Sequence, residues 1–409
     1  MEDEAERQRA EATYGSVLRL PGALRAFTAA VVGRLSYAMI PLALLFGVEE
    51  ATDSFAAAGT TLGAFSIASL TAPVKSRFVD RYGQRKVLIP LACAYGVVVC
   101  LLALAVSQKT VSAVVYVVLG ALVGICAPPL GPATRAVWAA LTPTLDARQR
   151  AYSLDTVAEE VLFAIGPVVT GALIASVGAA VSMVVTGVLL LVGTVGLATS
   201  PAAQALGAER DVRRATWLGP FTSGGFVLVV VIVLGLGAGL GPIEVVVVAR
   251  ADAAGNPAAA GVLLAVLAVG SGLGGLLWGH IRHTRRLSTQ LAGLLAVVAG
   301  ATAVTGLVSG LIPLGVCLAL TGVTIAPALI VTYLAVDTIV SDANRTEATT
   351  WVNTANNVGV AISAAAAGVI VEVASPGWAL LAGAALLAAL LIVLLGFRRV
   401  LDSEAVAVD

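Results

Sequence analysis

Three acidic residues lie within six positions of one another in a stretch that is otherwise mostly apolar: Asp155, Glu159 and Glu160. On a helix, Asp155 and Glu159 share one face and Glu160 points about 100° away. Two carboxylates on one face, away from water, cannot both ionise cheaply without a cation. A cluster in that balance can bind and release a proton as its access to water changes. Glu159 or Glu160 is the expected carrier; a static buried salt bridge is the alternative. Arg34, Arg135 and Glu244 are the other charges set inside apolar runs. Glu244 follows Gly239-Leu240-Gly241-Pro242, an expected helix break, where a carboxylate could meet a cation or a proton; an outer-rim residue in water is the alternative. Asn353, Asn356 and Asn357 bring neutral amides to a later run, and Asn353 and Asn357 share a face. These amides could hydrogen-bond a ligand or join two helices. Tyr37, one turn from Arg34, and Tyr333 could give a cavity an aromatic wall.

The elements that must carry these residues follow from composition. Of 409 residues, 59% are hydrophobic and 12% charged, about half the charge of an ordinary soluble chain. The mean hydropathy is +0.98. Such a chain suits a bilayer, and its long unbroken apolar runs fit helices rather than an alternating barrel. Twelve spans are expected, at 23–47, 54–78, 87–106, 111–139, 152–176, 179–199, 221–248, 257–280, 289–309, 311–335, 348–372 and 376–397. Twenty-four basic residues balance 24 acidic ones, which argues against a nucleic-acid partner. Cys93, Cys100, Cys126 and Cys317 lie in apolar stretches and are expected to be small buried hydrophobes. No metal site, Walker-type phosphate loop or G-x-S-x-G elbow is found, so no cofactor and no enzymatic chemistry is expected.

Basic residues orient the spans. With twelve spans, 20 Lys and Arg fall on the side of both termini. Only Lys109 and Arg250 fall on the other. Both termini are therefore expected in the cytoplasm of a multi-pass plasma (inner) membrane protein. The first twenty residues are acidic, then mildly amphipathic, and lack the early apolar core of a signal peptide. A surface strap and a frayed tail are both open readings for them. Trp138 and Trp351 are expected in the interfacial belt, and His280 and His283 as interfacial polar residues.

The two halves repeat. Phe55-Ala-Ala-Ala-Gly59 recurs as Pro257-Ala-Ala-Ala-Gly261. Gly124, Pro129 and Thr134 match Gly322, Pro327 and Thr332. Glu159 to Ile165 lies on Asn356 to Ile362, and Gly171 on Gly368. The expected organisation is a tail over 1–22, a six-helix bundle over 23–199, a linker over 200–220 with Arg210, Asp211, Arg213 and Arg214, a second bundle over 221–397, and a tail over 398–409. Two six-helix halves suggest a transporter that rocks about a central site. Amides in place of Glu159 and Glu160 suggest that one half titrates while the other binds.

The loop after the second span reads Ser76-Arg-Phe-Val-Asp80-Arg81-Tyr-Gly83-Gln-Arg85-Lys86. It resembles the G-x-x-x-D-R-x-G-R-R signature of the major facilitator superfamily. Asp80, Arg81, Gly83, Arg85 and Lys86 fit, and Ser76 replaces the first glycine. The matching loop of the second half is degenerate and has no acid. The resemblance implies an all-α fold of twelve transmembrane helices in two pseudo-symmetric bundles. It implies that the loop ties the halves together in the outward-facing state. It also brings spans one, four and five together, so that Arg34 or Arg135 could neutralise the acids of span five. Gly166-Pro167-Val-Val-Thr170-Gly171 resembles the G-P-x-x-G-G element of the drug:proton antiporters of that superfamily. Thr170 stands for its first paired glycine, and the upstream glycines are missing. It implies a hinge at Gly166, Pro167 and Gly171.

The expected function is secondary transport by alternating access, most of all proton-coupled export of small amphipathic or cationic compounds. Protons, a small-molecule substrate and the bilayer are the expected partners, and a monomer the expected unit. A proton-coupled or facilitative carrier of sugars or other polar metabolites is the alternative. A non-transporting receptor or assembly factor on the same fold is the next.

Overall fold

Proline and glycine set several of the breaks between the helices of this computed structural model, which describes residues 13–108, 111–208, 219–257 and 259–406. After a short α1 (Tyr14–Leu18) come α2 (Ala23–Thr52), α3 (Phe55–Ser69), α4 (Ala72–Tyr82), α5 (Gln84–Gln108), α6 (Ala113–Cys126) and α7 (Leu130–Leu141). The long α8 (Leu145–Val177), then α9 (Ala179–Ala198) and α10 (Pro201–Ala208), close the first half. The second half holds α11 (Gly224–Leu240), α12 (Pro242–Ala253), α13 (Ala259–His280), α14 (Leu287–Leu307), α15 (Leu311–Ile339), α16 (Arg345–Val373) and α17 (Pro376–Val406). No strand occurs among the described residues. Among the described residues twelve helical spans are long and apolar enough to cross a membrane, three of them split into two helices each. The fold is all-α with twelve transmembrane helices, as the apolar runs lead one to expect. The linker residues Arg210, Asp211, Arg213 and Arg214, and most of the N-terminal tail, lie outside the described residues.

The splits have local causes. Pro128 and Pro129 lack the N–H that would continue α6 into α7. The freed carbonyls of Gly124, Ile125 and Ala127 accept from Lys75 Nζ at 3.1, 3.0 and 2.6 Å. Lys75, expected among the cations of the aqueous side, is instead 8% exposed, because a broken helix end offers it three acceptors. Pro242 opens α12 directly after Gly241, so the seventh span divides where the sequence predicted a break.

The helices form two compact units. One takes the described residues of Leu18–Leu141 and Val161–Ala215, here the first-half unit. The other takes those of Met1–Val17, Thr142–Glu160 and Thr216–Asp409, here the second-half unit. In the first-half unit α2 crosses α9 at Gly33 and Gly193, where a Cβ added to Gly193 would lie 2.2 Å from the Gly33 nitrogen. In the second-half unit a Cβ on Gly274 would lie 2.0 Å from the Val323 carbonyl oxygen. Small residues let backbones approach where apolar burial gives little drive, as between helices in lipid.

Two expectations are corrected here. Trp138 is 1% exposed and packs on Phe27 with ring centroids 5.7 Å apart; it is a core residue of the first-half unit, not a belt residue. Cys93 and Cys100 are exposed, and Cys126 and Cys317 only half-buried. In a membrane helix an apolar side chain need not face the core, because lipid is as apolar as its neighbours.

Candidate functional site

The first sixteen residues of α8 belong to the second-half unit and are fastened there turn by turn. Asp146 pairs with Arg282 at 2.9 Å. Gln149 Nε2 donates to the carbonyls of Trp278 and Ile281 at 2.7 and 3.0 Å. Ser153 Oγ donates to Gly275 O at 2.5 Å. Tyr14 of α1 joins this row, with its hydroxyl 3.0 Å from Ser153 Oγ and donating to Leu276 O at 2.5 Å. Close approach is possible because α13 presents glycine: a Cβ on Gly279 would meet the Tyr14 hydroxyl at 2.4 Å and Ser153 Cβ at 2.5 Å.

Two turns deeper along α8, Glu160 is half-buried and its Oε1 accepts from Ser271 Oγ of α13 at 2.9 Å. No salt bridge reaches Glu160 among the described residues. Asp155 is fully buried and Glu159 half-buried. Asp155 is thus the most buried of the three acids on this helix of the second-half unit.

A fourth acid, which the sequence reading passed over, has the most polar surroundings. Asp337, near the C-terminus of α15, is 5% exposed. Its Oδ2 accepts from the Tyr152 hydroxyl and stands 3.8 Å from Arg148 NH1. Its Oδ1 is 3.0 Å from Arg345 Nε, an ionic contact without hydrogen-bond alignment. Arg345 also reaches Asp342 at 2.5 Å. The signal was present: a lone acid at the end of an apolar run, with basic residues opening two other spans. Charge counting assigns such arginines to the water side and does not ask what they pair with.

Tyr333, also on α15, is 2% exposed and donates to Asn353 Oδ1 of α16. Its ring meets Tyr152 edge-on, with centroids 6.2 Å apart at 78°. The structure therefore joins Tyr333 to Asn353, while Asn356 is half-buried and Asn357 exposed. Glu244 is exposed in the first turn of α12.

In the first-half unit, Arg34 is 4% exposed and Arg135 0%. Both guanidiniums lie within 4 Å of where a Cβ on Gly131 would stand, so both gather at the Pro128–Pro129 break. The Tyr37 hydroxyl donates to Pro128 O at the same break. Gly166 of α8 packs tightly on α2, where an added Cβ would lie 2.4 Å from Ala38 Cβ. Thr170 is buried and its hydroxyl donates back to Gly166 O at 2.8 Å. Gly171 faces open space. The helix runs through Pro167 without interruption.

The loop after α4 turns at Gly83, whose φ of 88° favours glycine. Asp80 is 6% exposed, while Arg81, Arg85 and Lys86 face out, Arg81 lying over the Tyr82 ring at 5.4 Å. Gln84, at a variable position of the signature, is buried and donates from Nε2 to Ala133 O at 2.8 Å. Among the described residues no group of His, Cys, Asp and Glu gathers as metal ligands.

Residues 26–240, more than half of the chain, match the family described as the Major Facilitator Superfamily. The chain belongs to that superfamily. It is a transporter, not an enzyme, and a multi-pass membrane protein of twelve spans. No curated protein sequence matches it. Among solved structures it is similar to the human organic anion transporter MFSD10 (TETRAN), with TM-score 0.72, 14% identity, and cover of 90% of this chain and 99% of that one. It is also similar to the E. coli fucose:proton symporter FucP, with TM-score 0.72, 14% identity, and cover of 91% and 97%. A bacterial homologue of the iron transporter ferroportin, in its outward-facing state, follows with TM-score 0.69, 12% identity, and cover of 92% and 99%. At such identities the likeness is one of fold.

Proposed function

We propose that this transporter exports small amphipathic or cationic compounds in exchange for protons, with Glu160 and Glu159 of α8 as the proton-carrying pair. One observation carries the reading. Glu160 lies inside a membrane span and its hydrogen-bond partner is a neutral hydroxyl, that of Ser271. A charge in mid-span costs about 2.5–3.5 kcal/mol by insertion scales, so an acid retained there without an ion pair calls for a use. A carboxyl beside a serine can be occupied by a proton or emptied without dismantling an ionic clamp.

Alternating access in this reading requires the N-terminal turns of α8 to part from α13 and α15, where Gln149, Tyr152 and Ser153 now hold them. Asp80, Arg81, Gly83, Arg85 and Lys86 would form the gating loop, and Gly166 with Pro167 and Gly171 the hinge. We place both termini in the cytoplasm, the protein in the plasma (inner) membrane, and the working unit at one chain with two six-helix bundles. Asp155, Arg34 and Arg135 would tune the acids, and Glu244 would meet a cationic substrate.

The test is proton flux. Everted vesicles with an acidic interior, reported by a pH-sensitive dye, are given a panel of cationic drugs and then sugars. Dye recovery with a drug, lost in the Glu159→Gln/Glu160→Gln double variant, is the expected result; unchanged recovery in that variant rejects the assignment. The second reading, a carrier of sugars or other polar metabolites, is favoured by the Tyr333–Asn353 bond and the neighbouring amides of α16, since amides and phenols suit hydroxyl-rich ligands. A response to sugars alone would put it first, and flux of either kind would set aside a non-transporting receptor.

A further inference from the structure

A cavity of about 440 Å³ lies between the end of α13 and the first turns of α14, both in the second-half unit and apart from the transport residues. Its mouth is basic and polar, with Arg282, His283 and Arg285 on the connecting loop and Thr289 below them. Two acids lie nearby: Asp146 takes Arg282 at 2.9 Å, and Asp402 takes Arg286 at 3.1 Å. Arg285 is exposed, and no carboxylate pairs with it among the described residues. The wall is stiff. His283 stacks on Trp278 with ring centroids 3.9 Å apart. Gln290 Nε2 holds the Arg285 carbonyl at 2.6 Å, and its own Oε1 is buried without a partner, as is Trp278 Nε1.

Below the mouth the lining turns apolar along one face of α14, through Gly293 to Val297. Thr289 to Val297 covers about 12 Å of helix. Val297 is 55% exposed although it stands inside a membrane span, so its surroundings are acyl chains. A dissolved anion would use the mouth and gain nothing from the apolar groove. A molecule with an anionic head and a hydrocarbon tail matches both. Basic pockets between membrane helices are suited to anionic headgroups.

We infer that this cavity seats one anionic phospholipid. Its phosphodiester would sit against Arg285 and Arg282 with the Thr289 hydroxyl as donor. One acyl chain would run down the Gly293–Val297 face. The lipid would brace the α13–α14 loop, and with it the Arg282–Asp146 pair that fastens the start of α8.

Lipid retention by the purified full-length chain, read by native mass spectrometry, tests this with three probes: phosphatidylglycerol, phosphatidylcholine and inorganic phosphate. One phosphatidylglycerol should stay bound and phosphatidylcholine should not. Arg285→Gln should weaken retention about fivefold, the worth of one arginine near an anionic surface. Gly293→Leu separates the lipid from a free anion. A Cβ there meets nothing within 4 Å, so the variant keeps the fold while its side chain fills the groove. It should lose phosphatidylglycerol. Equal retention of phosphatidylcholine would overturn the inference. So would tight inorganic phosphate binding that Gly293→Leu leaves intact, or wild-type phosphatidylglycerol retention in both variants.

Discussion

Asp337 and Glu160 are both acids at the helix contacts of the second-half unit, and their company differs. Asp337 meets two arginines and a phenol. Glu160 meets one serine hydroxyl. A carboxylate between two guanidiniums works as a clamp, because removing it takes away the anion that both arginines share. A carboxyl against a hydroxyl has no such obligation, since the hydroxyl can donate to one form and accept from the other. In the proposed reading the same unit keeps one acid for holding helices together and another to change state. Arg148 and Arg345 stand 197 residues apart, the separation of Glu159 and Asn356. Both converge on Asp337, so equivalent positions of the two halves serve one clamp, whereas the acids of α8 have amides as their counterparts.

Asp337→Asn is expected to do the most damage. It takes the shared anion from half-buried Arg148 and buried Arg345 and should cost about 3 kcal/mol, the lower end of the usual loss on breaking a buried pair from one side, because Arg345 keeps Asp342. Thermal unfolding of the purified protein measures it; a midpoint equal to wild type would erase the contrast with Glu160. Glu160→Gln comes next. It keeps shape and a hydrogen bond to Ser271, so stability should change by less than about 1 kcal/mol, while coupled proton flux is lost. A large fall in stability with flux retained would make Glu160 a second clamp. Ser271→Ala is milder. Loss of one neutral donor costs about 0.5–1.5 kcal/mol, and the pH at which flux is half-maximal should move, because the donor acts on the titrating group alone. A flux profile unchanged in pH would detach Ser271 from coupling.

Much of the architecture was legible because a bilayer demands long apolar runs, and those runs bounded all twelve spans to within several residues. The break at Gly241-Pro242 was legible for the same kind of reason, one residue type doing what others cannot. What stayed hidden was pairing. Lys75 looked like a cation for the water side, and only the carbonyls released at Pro128–Pro129 explain its burial. Arg148 and Arg345 looked like orienting charges, and Asp337 was hidden near the end of its span. Pattern reading gives depth and face along one helix; it does not say which other helix supplies the partner.

Tyr14 tests the smallest link in the row that fastens α8. Its hydroxyl touches Ser153 and Leu276 O, contacts that Tyr14→Phe removes while keeping the ring. The expected loss is about 0.5–1.5 kcal/mol, one neutral hydrogen bond. The pH dependence separates this bond from the ionic ones around it. Burial pushes the Tyr14 phenol up from its ordinary range, with the Ser153 bond and nearby Arg150 pulling weakly the other way. A group whose value is raised on folding contributes stability that is full below its unfolded value and fades as pH climbs through the folded one. The difference between wild type and Tyr14→Phe should therefore be the same at pH 6 and pH 8 and shrink only in strong alkali. A difference that disappeared between pH 6 and 8 would mean that a charged neighbour, not the phenol, holds the N-terminal segment to α8. The contrast between fixed and exchangeable groups would then have to be drawn elsewhere in the row.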